Sequence, residues 1–272
     1  MNYKLIAFDL DGTLLANLTE ISEENYAALK KLSEMGIILV PTTGRSLYEM
    51  PEKVRKCSYF KYAITSGGAC TYDLKNQELV DSALLTKEES EKLFSLLKEY
   101  DNVTMTHYEG DSFVDKNLDL QYYDKCRVTA GFKKFIPIFD KAVDNFYAFC
   151  HNMNRVELTC TFFATDEDKE SFRARIKSEG NYTVVSSAKD NLEVLSGNAD
   201  KGVAVLSLAE KLGIKAEETI GVGDSINDLA MIKAVGLGIA MGNALDSLKA
   251  EADLVGCTYK EHIAKFILEN CF

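Results

Sequence analysis

Short apolar runs alternate with amphipathic stretches through the first third of the chain. Lys4 to Phe8 reads as a buried strand that ends in acid at Asp9. A helix is predicted from about Glu23 to Met35, with Ser22 placed to cap its first turn and Gly36 to end it. Ile37 to Val40 reads as a second strand, followed by Thr42-Thr43-Gly44-Arg45 and a further helical stretch from about Leu47. Tyr62 to Thr65 is a third strand, ending in Ser66-Gly67-Gly68.

The same rhythm returns at the end of the chain. Lys201 opens a helix that runs to about Leu212 and closes at Gly213. Thr219 to Val222 is a strand ending in Gly223-Asp224, with a helix from about Asn227. Leu237 to Ala240 and Ala252 to Val255 read as two more strands. Apolar strands alternating with helices predict an α/β fold, a Rossmann-like parallel sheet with helices on both faces. The middle differs: alternating strand patterns such as Val156 to Phe163 mix with amphipathic helices at Glu88 to Tyr100 and Asp168 to Ser178. It reads as an inserted α+β unit, which predicts a core of residues 1–81 and 188–272 around an insertion of residues 82–187.

Composition narrows the function classes. The chain has 272 residues, enough to bury a large core, and its 46% hydrophobic and 27% charged residues are those of a globular protein. A formal net charge of -11 argues against nucleic acid or an anionic membrane as partner, because both reward clustered Lys and Arg. The seven cysteines are scattered without a C-x-x-C pair and read as reduced structural thiols, which points to a cytoplasmic protein. His107, His151 and His262 are far apart and offer no imidazole zinc site, so a metal here is expected to be a hard cation held by oxygen. The N-terminal apolar run is broken by Asp9 and Asp11 and is expected to be neither a signal peptide nor a membrane span. The N-x-T triplets at Asn17, Asn102 and Asn181 read as chance matches.

Ligands of open parallel sheets bind beyond the carboxyl ends of the strands. The first strand delivers Asp9-Leu10-Asp11-Gly12-Thr13 there, the second Thr43-Gly44-Arg45, and a later one Gly223-Asp224-Ser225-Ile226-Asn227-Asp228; Lys201 opens the helix before it. Carboxylates gathered at one edge repel unless a cation or protons intervene, and magnesium suits one or two carboxylates plus a phosphate oxygen. In Asp9-x-Asp11, one carboxylate can stay ionised as nucleophile while the other carries a proton. Gly12 and the threonines add donors for a phosphoryl group. Singly these pieces are weak. A lone D-x-D is as readily a turn or a helix cap, and Gly221-x-Gly223 lacks the third glycine of a dinucleotide loop.

Together and in this order they resemble the haloacid dehalogenase (HAD) superfamily of phosphohydrolases, and most closely its Cof-like branch, which carries a large cap between the second and third motifs. The matching residues are Phe8-Asp9-Leu10-Asp11-Gly12-Thr13-Leu14-Leu15, Thr43-Gly44-Arg45, Asp200-Lys201-Gly202, Gly223-Asp224-x-x-Asn227-Asp228-Leu229-Ala230-Met231 and Ala240-Met241-Gly242-Asn243-Ala244. The resemblance implies that Asp9 attacks phosphorus and becomes phosphorylated, while Asp11 protonates the leaving oxygen and then activates water. It implies phosphate binding by Thr43, Gly44, Lys201 and Asn227. Magnesium would be held by Asp9, Asp224 and the main-chain carbonyl of Asp11, with Asp228 behind them. Two positions depart from the branch: Ser66-Gly67-Gly68 stands where Ser-Asn-Gly is common, and Glu261-His262-Ile263 lacks a glycine often found before the last helix.

The expected activity is hydrolysis of a small phosphorylated metabolite, such as a sugar phosphate, by a monomer or small homo-oligomer. Three readings compete with it: a phosphosugar mutase of the same superfamily, a dehalogenase, and a non-catalytic sensor of a phosphorylated metabolite. The mutase would need a bisphosphate activator, and Asp11 with the magnesium carboxylates has no use in carbon–halogen displacement. An intact Asp9, Asp11, Thr43, Lys201, Asp224 and Asp228 argues against the sensor. Tyr108, Tyr122, Tyr123 and Phe135 are aromatic residues of the insertion that could line a pocket, although each alone reads more readily as core or surface.

Overall fold

The computed structural model describes residues 3–272. They form two compact units, one of residues up to 45, 50–82 and 200–272, the other of residues 46–49 and 83–199. In chain order the first segment carries β1 (Leu5–Phe8), α1 (Glu23–Glu34), β2 (Ile38–Pro41), α2 (Glu52–Arg55), β3 (Tyr62–Thr65), β4 (Cys70–Asp73) and β5 (Glu78–Ser82). The middle carries α3 (Lys87–Leu97), β6 (Asn102–Tyr108), β7 (Asp111–Asp115), α4 (Leu120–Lys125), α5 (Ala130–Phe139), β8 (Lys141–Val143), α6 (Phe146–His151), β9 (Val156–Phe163), α7 (Asp166–Glu179), β10 (Tyr182–Val185) and β11 (Asn191–Ser196). The last segment carries α8 (Lys201–Lys211), β12 (Thr219–Gly223), α9 (Leu229–Ala234), β13 (Leu237–Ala240), α10 (Asp246–Lys249), β14 (Leu254–Val255) and α11 (Ile263–Asn270).

The first unit is built on a parallel sheet in the order β14-β13-β12-β1-β2. Side chains alternate along β1, so its two faces enter different cores. Ile6 and Phe8 pack with Ala28, Leu29 and Leu32 of α1 and Ile263, Ala264 and Ile267 of α11. Leu5 and Ala7 pack with Ala204, Val205 and Leu208 of α8 and Met231 of α9. Burial on both faces is why these strands read as continuous apolar runs. The chain continues from β2 through a parallel bridge, Thr42 to Ile64, into the antiparallel sheet β3-β4-β5.

The second unit is a six-stranded sheet in the order β10-β11-β9-β6-β7-β8, antiparallel except where β7 meets β8. Leu93, Phe94 and Leu97 of α3, Phe146 of α6, and Phe172 and Ile176 of α7 bury one of its faces with Val156, Leu192 and Val194.

Four expectations are corrected. The boundary set at 188 moves to 200, because β11 lies between β9 and β10 and completes the second sheet. Residues 46–49 join that unit as well. The helix expected from Leu47 begins only at Glu52: Pro51 disfavours helical backbone at Met50, and Ser46 to Glu49 close a turn of their own. The strand expected over 252–255 is reduced to Leu254–Val255. All seven cysteines are free thiols, and no helix among the described residues is long and apolar enough to cross a membrane.

Candidate active site

β1 lies between β12 and β2 with Phe8 opposite both Val222 and Pro41, so three parallel strands end at one edge. Beyond it the chain turns sharply. Leu14 N–H donates to Asp9 O at 3.3 Å and Leu15 N–H to Leu10 O at 2.9 Å, closing a wide loop around Asp11 and Gly12. Gly12 sits at φ +76°, where a Cβ would stand 2.3 Å from Asp224 Oδ2; glycine is required twice over, for the backbone and for the close approach.

Lys201 is the hub. It opens α8 behind Asp200, whose carboxylate accepts from Val203 N–H at 2.8 Å as the helix cap. Its ammonium, 1% exposed, donates to Asp9 Oδ1 at 2.8 Å and to Asp228 Oδ1 at 2.6 Å. The other Asp228 oxygen accepts from the amides of Asp224 and Ser225, both at 3.0 Å. Ser225 Oγ donates to Asp224 Oδ1 at 3.0 Å, and Asn243 Nδ2 donates to Asp224 Oδ2 at 3.1 Å and to Gly12 O at 3.0 Å. One oxygen from each of Asp9, Asp224 and Asp228 lies within 4.8 Å of the others.

The charges do not balance. Three carboxylates face one ammonium, a net charge of -2 when all are ionised. Burial is the largest influence on Asp9 and pushes its carboxyl well above the usual range, against the pull of Lys201. Burial, then the neighbouring Asp228, raises Asp224 to about 6. The same two carboxylates hold Lys201 above the usual ammonium value despite its burial. A divalent cation supplies the missing +2 and the all-oxygen donor set is that of a hard ion, so these residues fit magnesium. Asp228 has both oxygens engaged by the Lys201 ammonium and two backbone amides, whereas Asp224 meets only the neutral side-chain donors of Ser225 and Asn243 and Asp9 gives one oxygen to Lys201, so Asp9 and Asp224 are the carboxylates better placed to face an ion.

Asp11 is placed differently from its neighbour. Its side chain is 48% exposed and is gripped by Arg45, Nε to Oδ2 at 2.8 Å and Nη2 to Oδ1 at 2.6 Å, with Nη2 also donating to Leu18 O at 3.0 Å. Two residues apart, Asp9 and Asp11 thus occupy separate electrostatic settings. Thr43 is buried after β2, where its Oγ1 accepts from Arg45 N–H at 3.1 Å; Gly44 is half-buried beside it. Asn227 lies in the turn after β12 with its buried Oδ1 unpartnered, as is Thr13 Oγ1.

A sequence model of the haloacid dehalogenase-like hydrolases matches residues 6–267. The chain belongs to that family. Phosphatase YwpJ of Bacillus subtilis (strain 168) is 32% identical over 95% of this chain and 96% of its own. The 5-amino-6-(5-phospho-D-ribitylamino)uracil phosphatase YcsE of the same organism is 30% identical over 98% and 95%. Among solved structures, a haloacid dehalogenase-like hydrolase from B. subtilis superposes with a TM-score of 0.82 at 27% identity, covering 99% of this chain and 100% of its own. The Cof-like resemblance therefore extends over the full length.

Within the family frame, two site residues went unassigned in the sequence reading although their motifs were recognised. Arg45 was legible only as the end of Thr43-Gly44-Arg45, and Asn243 only as part of Met241-Gly242-Asn243; a basic residue directly after the phosphate-loop glycine was the available signal. At the first departure, Gly67 keeps φ +66° and donates its N–H to Thr43 O at 3.0 Å. Asparagine and glycine are the residues that tolerate such backbone, so the turn survives while an amide side chain is lost. At the second, His262 itself takes the left-handed conformation, φ +66°, and its Nδ1 lies 2.9 Å from Ser22 Oγ, at the cap of α1. Of the four aromatics singled out in the insertion, Tyr123 is buried, Tyr108 packs against the core of the second unit, and Phe135 lies against Phe132 and Phe139. Tyr122 lines a cavity of about 400 Å³ with Tyr100, Asn102 and Tyr147.

Proposed function

We propose that this chain is a magnesium-dependent phosphatase of small phosphorylated metabolites, acting through an aspartyl-phosphate on Asp9. As a member of its family it is a hydrolase of phosphate esters. The observation that carries the finer reading is the buried Asp9–Lys201–Asp228 triad with Asp224 beside it, a group whose charge is complete only with a divalent cation. Asp9, Asp224 and the main-chain carbonyl of Asp11 would hold a magnesium ion, which would supply charge neutralisation for the incoming phosphoryl group.

Asp9 Oδ attacks phosphorus and the bond from phosphorus to the ester oxygen breaks. Lys201 fixes the rotamer of Asp9 and balances charge on the transferring group. Asp11 delivers a proton to the departing oxygen, then takes one from the water that attacks the phospho-Asp9 bond, releasing inorganic phosphate and restoring both carboxylates. Arg45 holds Asp11 apart from the Asp9 group; turning Asp11 toward substrate exchanges part of that fork for a bond to the ester oxygen or to water. Thr43, Gly44 and Asn227 offer donors to the phosphoryl oxygens. The second unit is the part assigned to choosing the leaving group, and the cytoplasm is the compartment proposed.

The test is hydrolysis of p-nitrophenyl phosphate with magnesium, with EDTA, and by Asp9→Asn. Turnover should require both the metal and Asp9. An Asp9→Asn protein as active as the parent would sink the reading.

A further inference from the structure

Asn243 follows β13 in a loop of the first unit that is fastened on two sides. Met241 N–H donates to Gly223 O at 2.9 Å, at the end of β12, and Gly242 N–H donates to Cys257 O at 2.8 Å. Ala244 N–H donates back to Met241 O at 2.9 Å, so Asn243 lies inside a closed turn. Met241 and Ala244 are buried and supply the packing of this loop, while solvent reaches Asn243 between them. All of the polar atoms of its side chain are nevertheless engaged. Nδ2 donates to Gly12 O at 3.0 Å and to Asp224 Oδ2 at 3.1 Å, and Oδ1 accepts from Tyr259 N–H at 3.0 Å. An amide nitrogen carries two hydrogens, one for each of those oxygens. The reversed amide would set its oxygen against two acceptors and its nitrogen against an N–H, so the network admits one orientation.

The segments joined at this amide are distant in the chain: 231 residues separate Asn243 from Gly12, 19 from Asp224 and 16 from Tyr259. Gly12 O is the carbonyl next to that of Asp11, so the bridge runs from the loop that carries one proposed metal ligand to Asp224, which is another. The two already touch, since a Cβ at Gly12 would stand 2.3 Å from Asp224 Oδ2. Contact alone does not fix their spacing, because the loop and the carboxylate belong to different segments. Ser225 Oγ also bonds Asp224, but from the adjoining residue of the same turn. The Asn243 amide crosses from one segment to the other, and the Tyr259 N–H holds that amide in place from behind.

We propose that Asn243 is a positioning residue for the metal centre, setting the spacing between the Asp11–Gly12 loop and Asp224 so that both stand ready for a divalent cation. The proposal rests on the reading of Asp9, Asp224 and the Asp11 carbonyl as magnesium ligands. Asn243 is no ligand itself: its nitrogen carries only donors, and its oxygen is turned to Tyr259. Hydrogen bonds that orient metal ligands are worth about ten- to a hundredfold in metal affinity. Loss of this bridge should therefore weaken metal binding, and an exposed side chain can be removed without emptying the core.

The experiment measures binding of Mn2+, which shares the oxygen preference of magnesium, by electron paramagnetic resonance of the free ion. The full-length parent is compared with Asn243→Ala, Asn243→Leu and Asp224→Asn, and urea unfolding in EDTA is recorded for each. Asn243→Leu keeps the branched shape of the side chain and removes the amide. Both Asn243 variants should raise the Mn2+ dissociation constant about tenfold or more, with urea midpoints in EDTA close to that of the parent. The magnesium concentration that half-saturates p-nitrophenyl phosphate hydrolysis should rise in proportion. Unchanged Mn2+ affinity in the variants overturns the proposal whatever their urea midpoints, and a lowered midpoint alone makes Asn243 a structural pin. Should Asn243→Leu fail to fold, Asn243→Ala carries the test. A parent that binds no Mn2+, or an Asp224→Asn protein that binds it as tightly as the parent, instead brings down the magnesium reading itself. A parent site lost in Asp224→Asn but intact in the Asn243 variants refutes only the role of Asn243.

Discussion

The buried imidazole of His107 offers a direct measurement of the electrostatics in the second unit. Burial alone lowers the imidazole pKa, but Glu49 and then Glu157 and Asp140 outweigh it and raise His107 to about 9. That folded value lies above the ordinary 6.5, so its protonation adds stability that is complete below about 6.5 and is lost as pH rises through about 9. The difference of those two values corresponds to about 3 kcal/mol. Asp140 also shifts, raised by burial to about 7 from 3.8, and its destabilising effect is fully developed above that pH. The window from pH 7 to 9.5 therefore spans the loss of the His107 contribution and only the upper part of the Asp140 titration. Buried thiols such as Cys150 and Cys160, whose pKa values burial raises, also erode stability at the alkaline end. Subtracting the urea-unfolding profile of His107→Gln from that of the parent removes their contribution. The difference should fall by about 2.4 kcal/mol across the window, the rest of the linkage lying outside it. The chain has three histidines, so proton NMR of the imidazole Cε1–H signals gives a second readout, with His107→Gln assigning the resonance. A His107 signal titrating at or below 6.5, together with a flat difference in stability, would refute the reasoning.

Other substitutions test the site itself. Asp11→Asn should reduce turnover of alkyl phosphates about a hundredfold more than that of p-nitrophenyl phosphate, and equal losses in steady-state kcat would remove Asp11 as the acid. Lys201→Met leaves Asp9 and Asp228 buried without their ammonium and should cost about 3–5 kcal/mol at pH 8 in EDTA, less at pH 5 where carboxyls take up protons; an unchanged urea midpoint at pH 8 would contradict it. Gly12→Ala forces a Cβ toward Asp224 at a backbone angle that itself costs about 1–2 kcal/mol, so kcat should drop with the fold retained by circular dichroism; parental kcat would show that the loop yields freely.

What the sequence revealed and what it hid follow from the range of each interaction. The strands Tyr62–Thr65 and Val156–Phe163 appear where their apolar patterns place them, because burial acts on each residue in turn. The helix expected at Leu47 failed because its apolar residues answer to a turn whose closing partner is a carboxylate buried against another strand. The boundary at 188 failed for a related reason: a strand's allegiance depends on its pairing partners, and β11 alone does not announce whether it extends the parallel sheet or the antiparallel one. At the active edge, the motifs named Asp9, Asp11, Lys201, Asp224 and Asp228 because their spacing is local. The Arg45 fork on Asp11 spans 34 residues of chain and the Asn243 bridge to Gly12 spans 231, and neither leaves a local trace.

The charge arrangement also gives two carboxylates so close in sequence the different settings that the proposed roles need. The loop at Gly12 sends Asp9 inward, 5% exposed and bonded to Lys201, and Asp11 outward to Arg45. The Asp11–Arg45 pair is neutral as a unit and contributes no barrier to an anion. The Asp9, Asp224, Asp228 and Lys201 group is not neutral: ionised, it carries -2 within a chain whose formal net charge is -11. In a setting of low effective dielectric, such a group would repel a phosphate dianion at the place where the proposed mechanism brings it to Asp9. Protons on Asp224 or Asp9, both raised by burial, would relieve part of it, but a proton on Asp9 would remove the proposed nucleophile. A divalent cation relieves it and leaves Asp9 ionised. On the proposed mechanism, the demand for a metal would thus precede any demand of the transition state, because it would be set by the charge the fold itself has buried.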